Sequence, residues 1–233
     1  MTRRTNSRVA GIAYLAYIAA AYPEIVMMSR ATRGSDAAAQ LTNVTQHAAD
    51  IRVAIILSFI SSICAFTLAV TLYAITRDED EEIALLGLVC RSGEGVVGGL
   101  TILCKLALLF LAASAAGQAA YPLASLLFKL DGYVTLVSAS FFAFGSTFFT
   151  YLLLRGRIVP LPLAALGVIG SIMIAFGIPA QTAGYVSRSV TDLMFIPVAG
   201  FEIIVALWLI FKGAALPRVA KPAGGYQLAG VND

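Results

Sequence analysis

Long apolar runs, nearly free of charge, constrain this chain more than any other feature. Six of them are long enough to cross the roughly 30 Å hydrocarbon core of a bilayer, which takes a helix of about 20 residues. They cover residues 9–28, 52–76, 83–115, 130–154, 158–179 and 192–213. Only 12% of the 233 residues are charged, about half of the share found in a soluble domain. The sequence therefore predicts an all-α fold, a polytopic transmembrane helix bundle of six spans.

The basic residues are divided unequally between the two ends of the predicted spans. The segments on the side of both termini hold more lysines and arginines than the segments on the other side. Since short basic segments stay in the cytoplasm, we predict that both termini are cytoplasmic. We further predict a single transmembrane helical domain over residues 1–213. Residues 214–233, rich in glycine and proline, are predicted to form a flexible C-terminal tail.

The longest connection, residues 29–51, contains a helical pattern of its own. Ser35 or Asp36 provides a helix cap at its start. The apolar residues that follow recur at helical spacing: Leu41, Val44, Ala48 and Ile51. We therefore predict a short amphipathic helix at the outer face of the membrane.

Ionisable residues inside the third span lie on one face of a helix. Spacings of 3, 4, 3 and 4 residues, at 100° per residue, align five side chains in one stripe. The stripe consists of Arg91, Glu94, Gly98, Thr101 and Lys105. A charge in the middle of the bilayer costs about 2.5–3.5 kcal/mol even on the mildest scale. The stripe is therefore predicted to point into the bundle rather than at lipid.

Other spans supply partners for this stripe. The first span carries a similar polar face, which consists of Tyr14, Tyr17, Ala21 and Glu24. The helical rise places Glu94 and Glu202 near the middle of the bilayer. Glu24 and Lys105 are predicted nearer the outer end, close to Asp131.

The charges at membrane depth do not balance. Three acids, Glu24, Glu94 and Glu202, face two bases, Arg91 and Lys105. A buried carboxylate without a positive partner takes up a proton or holds a cation. One acid is therefore predicted to be protonatable near neutral pH or to await a positive or hydrogen-bonding ligand. The plainer alternative is that Arg91 and Glu94 neutralise each other on one helix while Lys105 reaches the outer surface.

The leading functional hypothesis is a protein that binds or transports a small molecule in a polar chamber open to the outer side. The predicted ligand-binding residues are Glu24, Arg91, Glu94, Lys105, Glu202, Tyr17 and Asp131. Protonation of Glu94 or Glu202 would couple to ligand occupancy. Two alternatives stay open. One is an intramembrane enzyme that uses a buried carboxylic acid on a lipid or isoprenoid substrate, and the other is a structural or assembly protein without a chamber.

Other classes of site have little support in the sequence. The single histidine, His47, falls in a loop, and the three cysteines lie in apolar runs without CxxC spacing. No metal site and no cofactor are predicted. The net charge of +3 is small, so nucleic acid is not expected as a partner. The expected partners are the lipid bilayer and a small-molecule or lipid ligand, and an oligomer is left open.

Several segments occur in a characteristic order along the chain: GSDAAAQLTNV, LAVTLYAI, FFAFGSTFFTYLLLRGRIVP and GFEIIVALWLIFKG. In this order, over about residues 8–213, the chain resembles a bacterial family of six-span integral membrane proteins known only as a domain of unknown function. Arg91 and Glu94 match an Arg-x-x-Glu pair of the family, whereas Asp131 stands where many members have a histidine. The resemblance implies a six-helix bundle in the bacterial inner (cytoplasmic) membrane, and it implies no activity.

Overall fold

The computed structural model describes residues 2–114 and 117–215 and contains seven α-helices. They are α1 (Arg3–Ala31), α2 (Ala37–Gln46), α3 (Ala48–Thr76), α4 (Glu81–Ala113), α5 (Tyr121–Arg155), α6 (Leu161–Thr182) and α7 (Arg188–Phe211). A short 3₁₀ turn, Gly117–Ala120, leads into α5. These ranges contain no strand, so the prediction of an all-α fold is confirmed. Most of the predicted tail, residues 216–233, lies outside the described residues.

Six of the helices, all except α2, are long and apolar enough to cross a membrane. The prediction of a multi-pass bundle with six spans is thereby confirmed. α4 and α7 end two residues earlier than predicted and α6 begins three residues later, whereas several helices begin before their predicted spans, most clearly α5, which begins at Tyr121 rather than near residue 130. Lys129 and Asp131 lower the hydropathy of this segment without interrupting the helix. Pro122 falls in the first turn, where its missing N–H is tolerated.

Acidic caps determine where two of the helices begin. The Asp36 carboxylate accepts a hydrogen bond of 2.8 Å from the Ala39 N–H at the start of α2, as the sequence predicts. Leu41 and Val44 on α2 are buried. Ala48 and Ile51, the other two residues of the predicted apolar pattern, lie on α3 because the chain turns at His47. At the start of α4, Asp80 accepts a hydrogen bond of 3.2 Å from the Ile83 N–H in the same way.

The six long helices pack in a closed ring. α1 packs against α3, α3 against α4, α4 against α5, α5 against α6 and α6 against α7, and α7 returns to α1. The chain reverses between successive long helices, so Arg3 and Phe211 lie at one end of the ring, which we name the terminal side. α2 lies at the other end, the opposite side. Cytoplasmic termini stay a prediction, since the fold does not distinguish the two faces of the membrane.

The ring closes where α1 meets α7 at Gly11. A Cβ atom added to Gly11 would lie 2.5 Å from the carbonyl oxygen of Ala206 and 2.7 Å from the Ile210 side chain. The Ala214 N–H donates a hydrogen bond of 3.1 Å to Ser7 Oγ and extends this seam toward the terminal side. Small residues let membrane helices approach closely, so the seam depends on the missing side chain of Gly11.

Gly11→Ala is expected to lower the free energy of unfolding by about 1–3 kcal/mol, because the added methyl group forces α1 and α7 apart. Gly200→Ala, also in a ring helix, is the matched control, since nothing lies within 4 Å of a Cβ atom added there. Equilibrium unfolding of both variants in mixed micelles measures the difference. Equal stabilities would show that the seam yields to an added methyl group without penalty.

Ion pairs fasten the helix ends on the terminal side. Arg3 Nη1 lies 3.1 Å from Asp78 Oδ2, and Arg155 Nη1 lies 2.8 Å from Asp80 Oδ2. Exposed pairs of this kind contribute little stability each. Their effect is instead on the charge of the terminal side, because Asp78 and Asp80 of the α3–α4 connection neutralise Arg3 and Arg155.

Candidate functional site

The polar stripe of α4 points into the ring. Arg91 is fully buried, and Glu94 and Lys105 are 3% and 1% exposed. On the other face of the same helix, Val96 is 58% and Leu103 is 61% exposed. The apolar face is therefore the one available to lipid, while the ionisable side chains meet the other helices.

Glu94 is held from two directions. Its Oε2 atom lies 2.9 Å from Arg91 Nη1, but the orientation of the two groups does not meet hydrogen-bond geometry, so this contact is a charge pair only. Its Oε1 atom accepts a hydrogen bond of 2.7 Å from the Tyr17 hydroxyl on α1. A base on its own helix and a hydroxyl from across the ring thus fix the carboxylate.

Arg91 is positioned by aromatic rings and by a glycine. Its guanidinium carbon lies 4.9 Å from the ring centroid of Phe142 and 5.8 Å from that of Tyr17, within reach of cation–π attraction. A Cβ atom at Gly145 would lie 2.8 Å from Arg91 Cγ, so this glycine leaves room for the arginine stem. Nε and Nη2 of Arg91 are buried and have no hydrogen-bond partner in the described part of the chain.

Glu202 enters the same region from α7. It is 6% exposed, and its Oε1 atom is buried without a hydrogen-bond partner among residues 2–114 and 117–215. The charges of Arg91 and Glu94 act on this carboxyl group, and the buried Tyr14 of α1 lies within the same field. We name these residues the central cluster: Tyr14, Tyr17, Arg91, Glu94 and Glu202.

Lys105 belongs to a second group of polar residues. Its Nζ atom lies 2.7 Å from Glu24 Oε1 and donates hydrogen bonds of 3.0 Å to Ser58 Oγ and 2.8 Å to Thr101 Oγ1. The two hydroxyls accept two of the three donors of the ammonium group, and the Glu24 carboxylate supplies the opposite charge. Lys105 therefore stays inside the bundle. The plainer interpretation of the sequence places it at the outer surface instead.

Asp131 on α5 lies within electrostatic range of this second group. Its Oδ1 atom is buried without a hydrogen-bond partner in the described ranges, and the charges of Lys105 and Glu24 act on its carboxyl group. We name these residues the distal cluster, since they lie nearer the opposite side: Glu24, Ser58, Thr101, Lys105 and Asp131.

The predicted site residues thus fall into two groups at different depths. Tyr17, Arg91, Glu94 and Glu202 belong to the central cluster, and Glu24, Lys105 and Asp131 belong to the distal cluster. Arg91 and Lys105 are separated by about 21 Å along α4, from the rise of an α-helix. Each cluster joins α1 to α4 across the ring through side chains.

Sequence reasoning missed two residues of the site, Ser58 and Phe142. Ser58 receives a hydrogen bond from Lys105, and Phe142 lies beneath the Arg91 guanidinium. A hydroxyl or a phenyl group within an apolar span gives no distinctive sequence signal. Their roles become visible only when α3 and α5 are placed beside α4.

The described residues give no support to a metal centre. No group of three or more histidine, cysteine, aspartate or glutamate side chains in them is arranged to hold a metal ion. The three cysteines, Cys64, Cys90 and Cys104, are free. His47 Nδ1 lies 3.1 Å from Asp50 Oδ2 in the first turn of α3, away from both clusters.

A family model described as a domain of unknown function (DUF4386) matches residues 9–213. The match covers nearly all of the six membrane-spanning helices and both clusters. No curated protein and no solved structure matches the chain.

Proposed function

The chain belongs to the DUF4386 family, a domain of unknown function, and from that premise we propose that it binds and transports a small polar molecule at the central cluster. The supporting observation is incomplete pairing: Arg91 and Glu202 both hold buried polar atoms without partners in the described residues. Buried polar groups are normally hydrogen-bonded, and leaving them unpaired is unfavourable. A molecule that pairs with both groups would therefore bind at the central cluster.

The unpaired atoms define the chemistry of that molecule. Nε and Nη2 of Arg91 are donors, so the ligand needs a hydrogen-bond acceptor or a negative group. Oε1 of Glu202 is an acceptor, so the ligand also needs a donor or a positive group. A small amphoteric molecule that carries both kinds of group meets these requirements.

We propose that Glu202, rather than Glu94, takes up a proton when the ligand leaves and releases it when the ligand binds. Glu94 is already held by Arg91 and by the Tyr17 hydroxyl. Glu202 makes no ion pair and no hydrogen bond among the described residues, so a proton or a positive ligand group would compensate its charge more directly than Arg91 does. Proton uptake when the ligand leaves would then couple the two events.

Transport requires a barrier on each side of the binding site. The Glu24–Lys105 pair lies between the central cluster and the opposite side, and it joins α1 to α4. We propose that this pair is one barrier to a molecule moving toward that side. We further propose that the chamber opens to the outer side of the membrane and that the protein lies in the bacterial inner membrane.

Glu202→Gln is expected to reduce ligand retention about 10-fold to 100-fold, because a hydrogen bond to a charged group contributes about 1.5–3 kcal/mol. Native mass spectrometry of protein released from its own membrane would detect the small molecules that co-purify with the wild type. Glu82→Gln, at an exposed position in the first turn of α4, is the matched control.

The same experiment separates transport from the two alternatives. If neither the wild type nor Glu202→Gln retains a molecule and both are equally stable, the central cluster is structural and the proposal fails. An intramembrane enzyme is the second candidate, favoured by the buried Glu202 carboxyl as a proton donor. In that case the wild type would retain two species related by a chemical conversion, and Glu202→Gln would retain only the unconverted one.

A further inference from the structure

A cavity of about 530 Å³ lies at the terminal side of the ring, apart from both clusters. It opens between the α5–α6 connection and the end of α7. Its lining consists of residues 157–161, Trp208 and residues 212–215. We propose that this cavity binds the phosphate group of an anionic membrane lipid.

The charge of the cavity is positive. Arg157 and Lys212 line it, and no carboxylate among the described residues lies within ion-pair distance of either one. Asp78 pairs with Arg3 and Asp80 pairs with Arg155, while the Glu79 side chain packs against Gly156 outside ion-pair distance of Arg157 and Lys212. Two exposed basic side chains that line one cavity without a carboxylate partner favour an anion such as a phosphate.

The backbone at Arg157 places its side chain where α5 ends. Arg157 has a φ angle of 49°, in the left-handed region, where a residue with a Cβ atom pays about 1–2 kcal/mol. A glycine would adopt this conformation without strain, yet the glycine of this turn stands one position earlier, at Gly156. The left-handed residue ends α5 in a Schellman motif, in which the Arg157 N–H donates to the Leu154 carbonyl at 3.1 Å and the Ile158 N–H donates to the Leu153 carbonyl at 3.0 Å.

The remaining walls are apolar, and they distinguish a lipid from free phosphate. Ile158 and Val159 pack into the bundle, while Leu161 is 58% exposed beside the cavity. Lys212 Nζ lies 4.5 Å from the ring centroid of Trp208, which places the ammonium group above an aromatic surface. Tryptophan and basic residues together are typical of the membrane interface. An amphiphile fits both the charged and the apolar walls, whereas inorganic phosphate fits only the first.

The test compares lipid binding by the purified full-length chain in nanodiscs. One set of discs contains phosphatidylglycerol in a phosphatidylcholine background, and the other contains phosphatidylcholine alone. Arg157→Gly with Lys212→Gln removes both basic groups and relieves the left-handed backbone at position 157. Arg4→Gln with Arg77→Gln is the matched control, because it removes two basic groups on the terminal side that do not line the cavity.

We expect the double variant in the cavity to reduce the affinity for phosphatidylglycerol about 30-fold, from the contribution of each interfacial basic residue to binding anionic lipid. The control should change it less than threefold, and the unfolding midpoint of both variants should stay near that of the wild type. An equal loss in the control would overturn the proposal, because general surface charge would then explain binding. Displacement of the lipid by inorganic phosphate alone would overturn it too, since the site would then recognise a free anion.

Discussion

Arg91→Met is expected to lower the free energy of unfolding by about 3–5 kcal/mol, because it leaves the Glu94 carboxylate buried without its positive partner. Methionine fills much of the volume that the arginine stem occupies between Phe142 and Gly145. The loss is therefore attributable to charge rather than to a hole in the packing. Equilibrium unfolding of the wild type and the variant in mixed micelles measures the difference.

A triple variant tests the cause of that loss. Arg91→Met with Glu94→Leu and Tyr17→Phe should recover most of the stability, since apolar replacements of a buried ion pair are often neutral or stabilising. The Tyr17 change is needed because its hydroxyl would otherwise lose its acceptor, Glu94 Oε1. We expect this variant to fold but to lose the ligand. A loss of less than about 1 kcal/mol in Arg91→Met alone would mean that the pair is not desolvated.

Lys105→Met is expected to lower the free energy of unfolding by about 3 kcal/mol, the smaller end of the range for a broken buried pair. The smaller value follows from Glu24, whose side chain is 18% exposed and can be partly hydrated when the lysine is removed. Ser58 and Thr101 stay satisfied, because their hydroxyls donate to backbone carbonyls of their own helices. Unfolding under the same conditions as for Arg91→Met measures the effect.

Glu24→Gln is the comparison that isolates the charge of the distal cluster. The glutamine keeps an oxygen acceptor near Lys105, so the ammonium group can retain its three contacts. We expect a smaller loss than for Lys105→Met. If Lys105→Met were as stable as the wild type, the pair would not join α1 to α4 in the folded protein.

The sequence predicts the helices better than their arrangement. Apolar length reveals six spans because the bilayer thickness fixes the length of a crossing helix. Helical spacing identifies the α4 stripe, and the contact between Arg91 and Glu94 follows from a separation of three residues. These features are local, so they need no knowledge of neighbouring helices.

Contacts between helices depend on the order of the ring, which hydropathy does not encode. Tyr17 and Glu94 are 77 positions apart in the chain, and Glu24 and Lys105 are further apart. The sequence predicts the depths of these residues from the helical rise, but it assigns them to one chamber because it does not show which polar faces meet. The structure adds the contacts that make each depth a separate cluster.

Charged residues at the ends of helices are also ambiguous in the sequence. Arg157 and Lys212 are interpreted only as cytoplasmic charges near predicted spans. Their shared cavity arises because the α5–α6 connection and the end of α7 lie side by side at the terminal side. Lys129 and Asp131 likewise hide the first turns of α5, since a hydropathy profile cannot distinguish a polar helical turn from a loop.

The seam between α1 and α7 has a consequence for biogenesis. α1 is synthesised before α7, so it finds its second neighbour only after Arg188–Phe211 has been synthesised. Until then the surface of α1 around Gly11 is exposed to lipid, and Arg91 and Glu94 lack α7, the helix that carries Glu202. A premature stop before α7 would therefore yield an open, degradation-prone intermediate rather than a smaller working protein.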